Sequence, residues 1–463
     1  MMTALSIENS IAYAHEHSDR YLKQFIELLR IPSISTDPDH KKDVARAADW
    51  IVTEMQRIGL RNAQLITTAG HPVVYGEWLE AGPESPTILF YAHYDVQPVD
   101  PLELWEAPPF EPTIRGGKLY ARGVIDNKCG VVVNLKAVES VLEAAGKLPV
   151  NLKFIFEGEE ESGSPSMEPF VKAYKNLLRA DLLVSSDGGS YDKDLPKVFS
   201  SLRGLVSAEV GITGPITDLH SGSYGGVVHN PAHMAARIIA AAHDDQGRIQ
   251  IPGFYDDVRP LTTAQLEELK TQEVYILAQS RQETGRDVFW GVPEYTFLER
   301  QTAQPTFDVN GLFSGYQGAG SKTIIPSRAG LKVSMRLVAD QDPQDIAEKF
   351  TAFISSFSSD TLDIQVDITS MCWPVEALFD GPCIEAVQRA FEATWGRRAL
   401  LYRQGGSIPI MGMMQRELGV PITNFGYGNG GNGHAPNEFC RLEHFYRGID
   451  AAIHFYHYIA SAF

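Results

Sequence analysis

Cysteine is scarce in this chain of 463 residues, with four in all. Cys129, Cys372, Cys383 and Cys440 are scattered and form no C-x-x-C pair. That excludes a thiolate structural zinc site, and it fits a reducing compartment better than a disulfide scaffold. Positive charge is also in deficit: 40 Lys and Arg face 58 Asp and Glu, a net charge of −18. A nucleic-acid binder neutralises phosphates with clustered cations, and no long basic patch occurs here, so no nucleic-acid partner is expected. No run approaches the ~18 apolar residues that a spanning helix needs. The opening MMTALSIENSIAYAHEH has neither the charged start nor the apolar core of a secretory leader. These absences predict a soluble, cytoplasmic protein with no membrane partner.

The residues that are present describe an ordinary globular composition, 44% apolar and 21% charged. The chain is too long for one simple core, which predicts two domains. Residues 6–30 read as a helix, and DVARAADWIVTEMQRIG as a second one ending on Gly59. Apolar runs then alternate with helical patterns through PTILFYAHYD, GVVVNLKAVESVLEAAG, NLKFIFEG and ADLLVSSDGG. Such alternation predicts a βαβ-rich, largely parallel sheet, in which ligands bind beyond the carboxyl ends of the strands. After residue 200 the pattern changes to the strand GLVSAEVGITG, the helix NPAHMAARIIAAAHDD, the strand AGLKVSMRLVAD, the helix DPQDIAEKFTAFISSF and the strand LDIQVDIT. This β–α–β–α–β set predicts a small sheet with helices on one face. The fold expected is α/β: residues 1–200 and 374–463 form a domain with a mixed, mostly parallel sheet flanked by helices, and residues 201–373 form an inserted, smaller α+β domain.

Chemistry gathers at the predicted strand ends. FIFEGEEESGS places Glu157, Glu159, Glu160 and Glu161 within five positions after an apolar strand. Without a strongly positive partner these carboxylates repel one another; the alternative is a solvated loop. TILFYAHYD delivers His93 and Asp95, ARGVIDNKCG delivers Asp126, LLVSSDGG delivers Asp187, and FGYGNGGNGHAPNE delivers His434. Taken singly, each has a plain structural reading: a hydrogen-bonded His–Asp pair, a turn aspartate, an exposed loop. Taken together, they put oxygen and imidazole donors at one edge of one sheet, a donor set suited to Zn²⁺, Mn²⁺ or Co²⁺. Spacing alone leaves open which of the adjacent glutamates does what.

Two glycine motifs carry less. GNGGNG (residues 428–433) matches G-x-G-x-x-G but runs into HAPNE, with no apolar helix to hold a pyrophosphate. GYQGAGSKT (315–323) resembles a P-loop but leads into IIPSR rather than a helix. His454 and His457 stand beside Phe455 and Tyr456, which points to packing.

The motifs YAHYDVQP, LYARGVIDNKCG, FIFEGEEESGS, SSDGG, DLHSGSYGG, GAGSKTIIPSRAGLKVSMRLV, RQGGSIP and GHAPNE resemble, in order, those of the dinuclear metallopeptidases. That family includes aminoacylases, glutamate carboxypeptidases and dipeptidases. DLHSGSYGG and KTIIP look most like the cytosolic carnosinase-like dipeptidase branch. The resemblance implies that His93 and Asp187 ligate one divalent metal, Glu161 and His434 the other, and Asp126 both. It also settles the register of the glutamates, with Glu160 as general base and Glu161 as ligand. Asp95 is implied as the residue orienting His93, and His220 as an oxyanion donor supplied by the partner subunit of a homodimer. Arg336, Thr323, Gly406 and Ser407 are implied as substrate contacts.

The activity implied is hydrolysis of the amide bond in dipeptides or similar small amides with a free carboxylate, by a water activated between two metals. Zn²⁺ is the foremost cofactor, with Mn²⁺ and Co²⁺ as alternatives. The nearest competing reading is deacylation of N-acyl amino acids, as in the acetylornithine or succinyl-diaminopimelate branch. A non-catalytic dimeric scaffold would be expected to lack some of these ligands. A metallophosphatase would be expected to show an Arg cluster beside the acids, which this sequence lacks.

Overall fold

A computed structural model describes residues 2–192, 194–428 and 430–463, with side chains from residue 6 onward except at 191 and 192. The chain divides into two compact units: residues 1–200, 377–401 and 413–463, and residues 201–376 and 402–412. The sequence expectation set the return to the first unit at 374 and gave it everything beyond. In the structure residues 374–376 and the short segment 402–412 group with the second unit instead.

The first unit is built on a six-stranded sheet, ordered Arg61–Ile66, Val73–Trp78, Asn151–Glu157, Thr87–His93, Leu182–Ser185 and Ile422–Asn424. The last four strands run parallel, and the two at the other edge are antiparallel. Asn151–Glu157 is buried along its whole length, and Thr87–His93 at all but its first residue, as strands covered on both faces must be. Phe90 stacks on Phe154 at 5.5 Å and meets Phe455 and Tyr456 of the helix Leu442–Ile459 edge-on. The helix Lys128–Ala145 buries most of its length and stops at Gly146, whose φ of +72° is a left-handed cap that favours glycine. The helix expected over 6–30 is two, Met2–Glu16 and Ser18–Leu29. They part at His17, whose imidazole turns back to the Tyr13 carbonyl at 2.9 Å.

Register fixes where the functional edge lies. His93 is level with Glu157 and Tyr91 with Ser185, so the parallel strands finish together at one edge of the sheet.

The second unit holds a four-stranded antiparallel sheet, ordered Thr306–Ser314, Arg328–Leu337, Gly204–Thr213 and Asp363–Cys372. Gly204–Thr213 alternates buried and more exposed positions. Val206, Val210 and Ile212 join Met234 and Ile238 of the helix Pro231–Ala241, and Phe350 of the helix Pro343–Ser355, in one core. Both helices begin on a side-chain cap followed by proline: Asn230 accepts the Ala232 N–H and Asp342 the Gln344 N–H. The strand Thr306–Ser314 and the helix Thr263–Thr284 are additions to the β–α–β–α–β set expected from sequence.

Candidate metal centre

Strand ends and adjoining loops of the first unit deliver the polar side chains. His93 closes Thr87–His93, Asp126 lies in the loop before Lys128–Ala145, and Glu160 and Glu161 open the turn after Asn151–Glu157. Asp187 follows Leu182–Ser185 by two residues, and His434 lies in the loop after Ile422–Asn424. Gly189 and Gly428 let the last two loops touch: a Cβ on Gly189 would lie 1.5 Å from the Gly428 carbonyl oxygen. Close backbone approach accounts for Gly428 of the GNGGNG stretch, whose Asn429 lies outside the described residues.

At the centre, the Asp126 carboxylate stands between two imidazoles. Its Oδ1 is 3.0 Å from His93 Nε2 and its Oδ2 is 2.8 Å from His434 Nε2. One donor atom each from His93, Asp126 and Glu161 fall within 4.8 Å of one another. Glu161 Oε1 lies 3.5 Å from His434 Nε2. Asp187 is outside that trio; Asn127, next to Asp126, donates from Nδ2 to its Oδ1 at 3.0 Å. Behind the centre, Asp95 Oδ1 is 3.4 Å from His93 Nδ1, and its two oxygens accept the backbone N–H groups of Glu160 and Glu161. His434 has φ +60°, a left-handed conformation that costs a non-glycine residue energy and is characteristic of functional loops.

The electrostatics call for positive charge. Burial pushes Glu160 up to about 7 and Glu161 up to about 8, with Asp126 adding to both. Burial raises Asp187 as well, again with Asp126 adding. Burial also works to raise Asp126, but His434 and His93 outweigh it and hold its carboxyl low. Burial would lower His93, yet Asp126 and Asp95 carry it well above the ordinary imidazole value. The bond to Asp126 lifts His434 to about 9 against the effect of partial burial. Glu161 Oε1 is buried and has no hydrogen-bond partner. Clustered acids, two imidazoles and an orphaned carboxylate oxygen fit hard or borderline divalent cations.

The other residues singled out from sequence lie in the second unit. Arg336 donates from Nη1 to Ser407 Oγ at 2.8 Å, and the Gly406 carbonyl accepts the Arg203 N–H at 3.1 Å. His220 pairs with Ile324 in a two-stranded ribbon, and just beyond it the Ser221 N–H donates to the Thr323 carbonyl at 3.0 Å. Sequence reasoning missed Asn127, Gln97, which donates to Glu161 Oε2 at 2.7 Å, and the buried Glu438. All three lie inside motifs singled out above, Gln97 in YAHYDVQP, Asn127 in LYARGVIDNKCG and Glu438 at the end of GHAPNE, but no role was assigned to them.

The motif order and this geometry agree with a match over residues 89–457 to the profile described as peptidase family M20/M25/M40. The chain belongs to that family. It is thus a hydrolase of the peptidase class, with a candidate metal-binding site. Among M20/M25/M40 relatives, it is 28% identical to the Cys-Gly metallodipeptidase dug1 of Schizosaccharomyces pombe, with 99% of each chain covered. It is also 28% identical to the Beta-Ala-His dipeptidase of Homo sapiens, over 93% of this chain and 88% of that one. The crystal structure of an M20 family metallo-carboxypeptidase, Sso-CP2 from Sulfolobus solfataricus, superposes with a TM-score of 0.81 at 32% identity, covering 95% of this chain and 99% of that one.

Proposed function

We propose that this family member is a dipeptidase that uses two divalent cations, Zn²⁺ foremost and Mn²⁺ or Co²⁺ as alternatives. The observation that carries the reading is Asp126 set between His93 and His434, beside a buried carboxylate oxygen of Glu161 that has no hydrogen-bond partner. His93 and Asp187 would hold one cation, Glu161 and His434 the other, and Asp126 both. Bound there, the cations would acidify water and polarise the scissile carbonyl.

The chain's own groups do the rest. A Glu160 carboxylate oxygen accepts the proton of the attacking water and delivers it to the amine nitrogen as the C–N bond breaks. Asp95 fixes the His93 ring and, through two backbone N–H bonds, the turn that carries Glu160. His220 Nδ1 accepts the Gly222 N–H at 2.9 Å, which leaves its Nε2–H free as a donor toward the developing oxyanion. The Arg336 fork, held by Ser407, takes the substrate's free carboxylate, with Thr323 and Gly406 beside it. Residues 201–373 serve as the lid and dimerisation domain, so that His220 acts on the partner subunit's site. Exposed apolar side chains there, Ile216, Tyr224, Val227, Leu312 and Phe313, support a self-association surface. The cytoplasm is the proposed location. No helix of the described residues is long and apolar enough to cross a membrane.

The test compares kcat/KM for unblocked dipeptides with kcat/KM for N-acetyl amino acids on protein stripped of metal and re-supplied. Faster turnover of dipeptides supports the assignment. Preferential cleavage of N-acetyl amino acids replaces it with the deacylase reading.

A further inference from the structure

Glu438 is fully buried, four residues beyond His434. All four hydrogen bonds to its carboxylate come from the stretch that leads to Asp126. Oε2 accepts Arg122 Nη1 at 2.8 Å and the Gly123 N–H at 3.0 Å. Oε1 accepts the Ile125 N–H at 3.0 Å and the Asp126 N–H at 3.4 Å. The Glu438 backbone carbonyl adds a fifth contact, accepting the Ala121 N–H at 3.1 Å. Arg122 is itself buried, donates to the Pro98 carbonyl at 3.0 Å and lies over the Trp105 ring.

Arg122 donates one bond, to Oε2, and a fully buried carboxylate needs further donors for its other lone pairs. Here three of the four carboxylate bonds go to backbone amides that end at Asp126, and the donor of the fourth is anchored to a third loop. Charge-assisted bonds of this kind are short and directional, so they fix the backbone they hold. The loop bearing His434 and the loop bearing Asp126 are thereby joined through one side chain. The 2.8 Å approach of His434 to Asp126 depends on both loops.

We propose that Glu438 is a positioning residue for the metal centre, clamping the 122–126 loop against the His434 loop so that Asp126 and His434 present a preformed donor set. This role rests on the two-cation reading above. Partners that orient metal ligands from behind cost about 10–100-fold in metal affinity when removed. Glu438→Gln keeps the side chain's shape but turns one acceptor oxygen into an N–H₂ group facing backbone donors. Glu438→Asp keeps the charge and shortens the reach.

The experiment uses the full-length chain, stripped of metal and titrated with Zn²⁺ against a competing chelator. Amide exchange and thermal melting are followed on the metal-free protein. Glu438→Gln is expected to melt cooperatively, bind Zn²⁺ about 10–100-fold more weakly, and exchange the amides of residues 123–126 faster than wild type. Glu438→Asp is expected to recover part of the affinity. Should Glu438→Gln fail to fold, Arg122→Lys, which leaves the carboxylate in place, is expected to weaken Zn²⁺ binding several-fold. A folded Glu438→Gln protein with wild-type affinity and a lowered melting point overturns the proposal, because Glu438 would then be merely structural. Unchanged affinity in Arg122→Lys, used as the fallback, overturns it too. Wild-type protein that binds none of Zn²⁺, Mn²⁺ and Co²⁺ overturns the two-cation reading together with this role, a result distinct from the failure of Glu438 alone.

Discussion

Asp95 Oδ2 accepts the Glu161 backbone N–H at 3.0 Å, from behind the turn that carries the two adjacent glutamates. Its other oxygen takes the Glu160 N–H at 3.3 Å and sits 3.4 Å from His93 Nδ1. One buried carboxylate therefore orients an imidazole and a turn at once. Asp95→Asn preserves volume but sets an amide N–H₂ against one of these donors. Metal affinity is predicted to fall about 10–100-fold, with cooperative melting of the metal-free protein retained. Calorimetric titration checks this, and wild-type affinity in the variant would remove Asp95 from that role.

Glu160 and Glu161 are neighbours with different predicted losses. Glu160→Gln is predicted to keep its metal while turnover falls about 10²–10⁴-fold, the range for a lost general base. Glu161→Gln is predicted to lose metal. Metal analysis beside steady-state kinetics separates the two, and the reverse pattern would shift the register by one residue.

How much of this was legible in the sequence depended on the kind of signal. His93, Asp126, Glu161, Asp187 and His434 each follow an apolar strand or sit in a glycine-rich loop, so strand prediction leads to one sheet edge. Glu438, Asn127 and Gln97 stand in the same motifs, but their roles come from contacts between loops distant in sequence, which a local pattern does not show. The strand Thr306–Ser314 was overlooked because it is mostly exposed and has no clean apolar alternation, and it carries a register shift between Val309 and Gly311. Residues 402–412 group with the second unit without any change of composition to announce it.

His444 makes a prediction about acid. The ring is fully buried, neither nitrogen has a hydrogen-bond partner, and burial depresses its pKa to about 4. A group with a depressed folded-state value contributes stability above the unfolded imidazole value of about 6.5. That contribution is lost as pH falls through the window toward 4. His457, also pushed down to about 4 mainly by burial, acts in the same direction. Melting temperature is predicted to drop between pH 7 and pH 4.5, and His444→Leu to reduce that drop. An equal drop in both proteins would show that the folded protein takes up a proton at His444 as readily as the unfolded chain does.

His220 tests the dimer. If its imidazole serves the partner subunit's site, mixing His220→Ala with Glu160→Ala yields hybrid dimers in which one site has both groups. Partial recovery of activity is predicted on mixing, at most a fraction of wild type, after time for subunit exchange. Absence of recovery in mixtures shown to exchange subunits would argue against action across the interface.

The most direct test of the central claim is metal content measured together with dipeptide hydrolysis, on protein stripped by chelation and re-supplied with Zn²⁺, Mn²⁺ or Co²⁺. The account predicts about two metal ions per chain and activity that disappears on stripping and returns on re-supply. Folded protein that takes up no metal and cleaves no dipeptide under any of the three would contradict it.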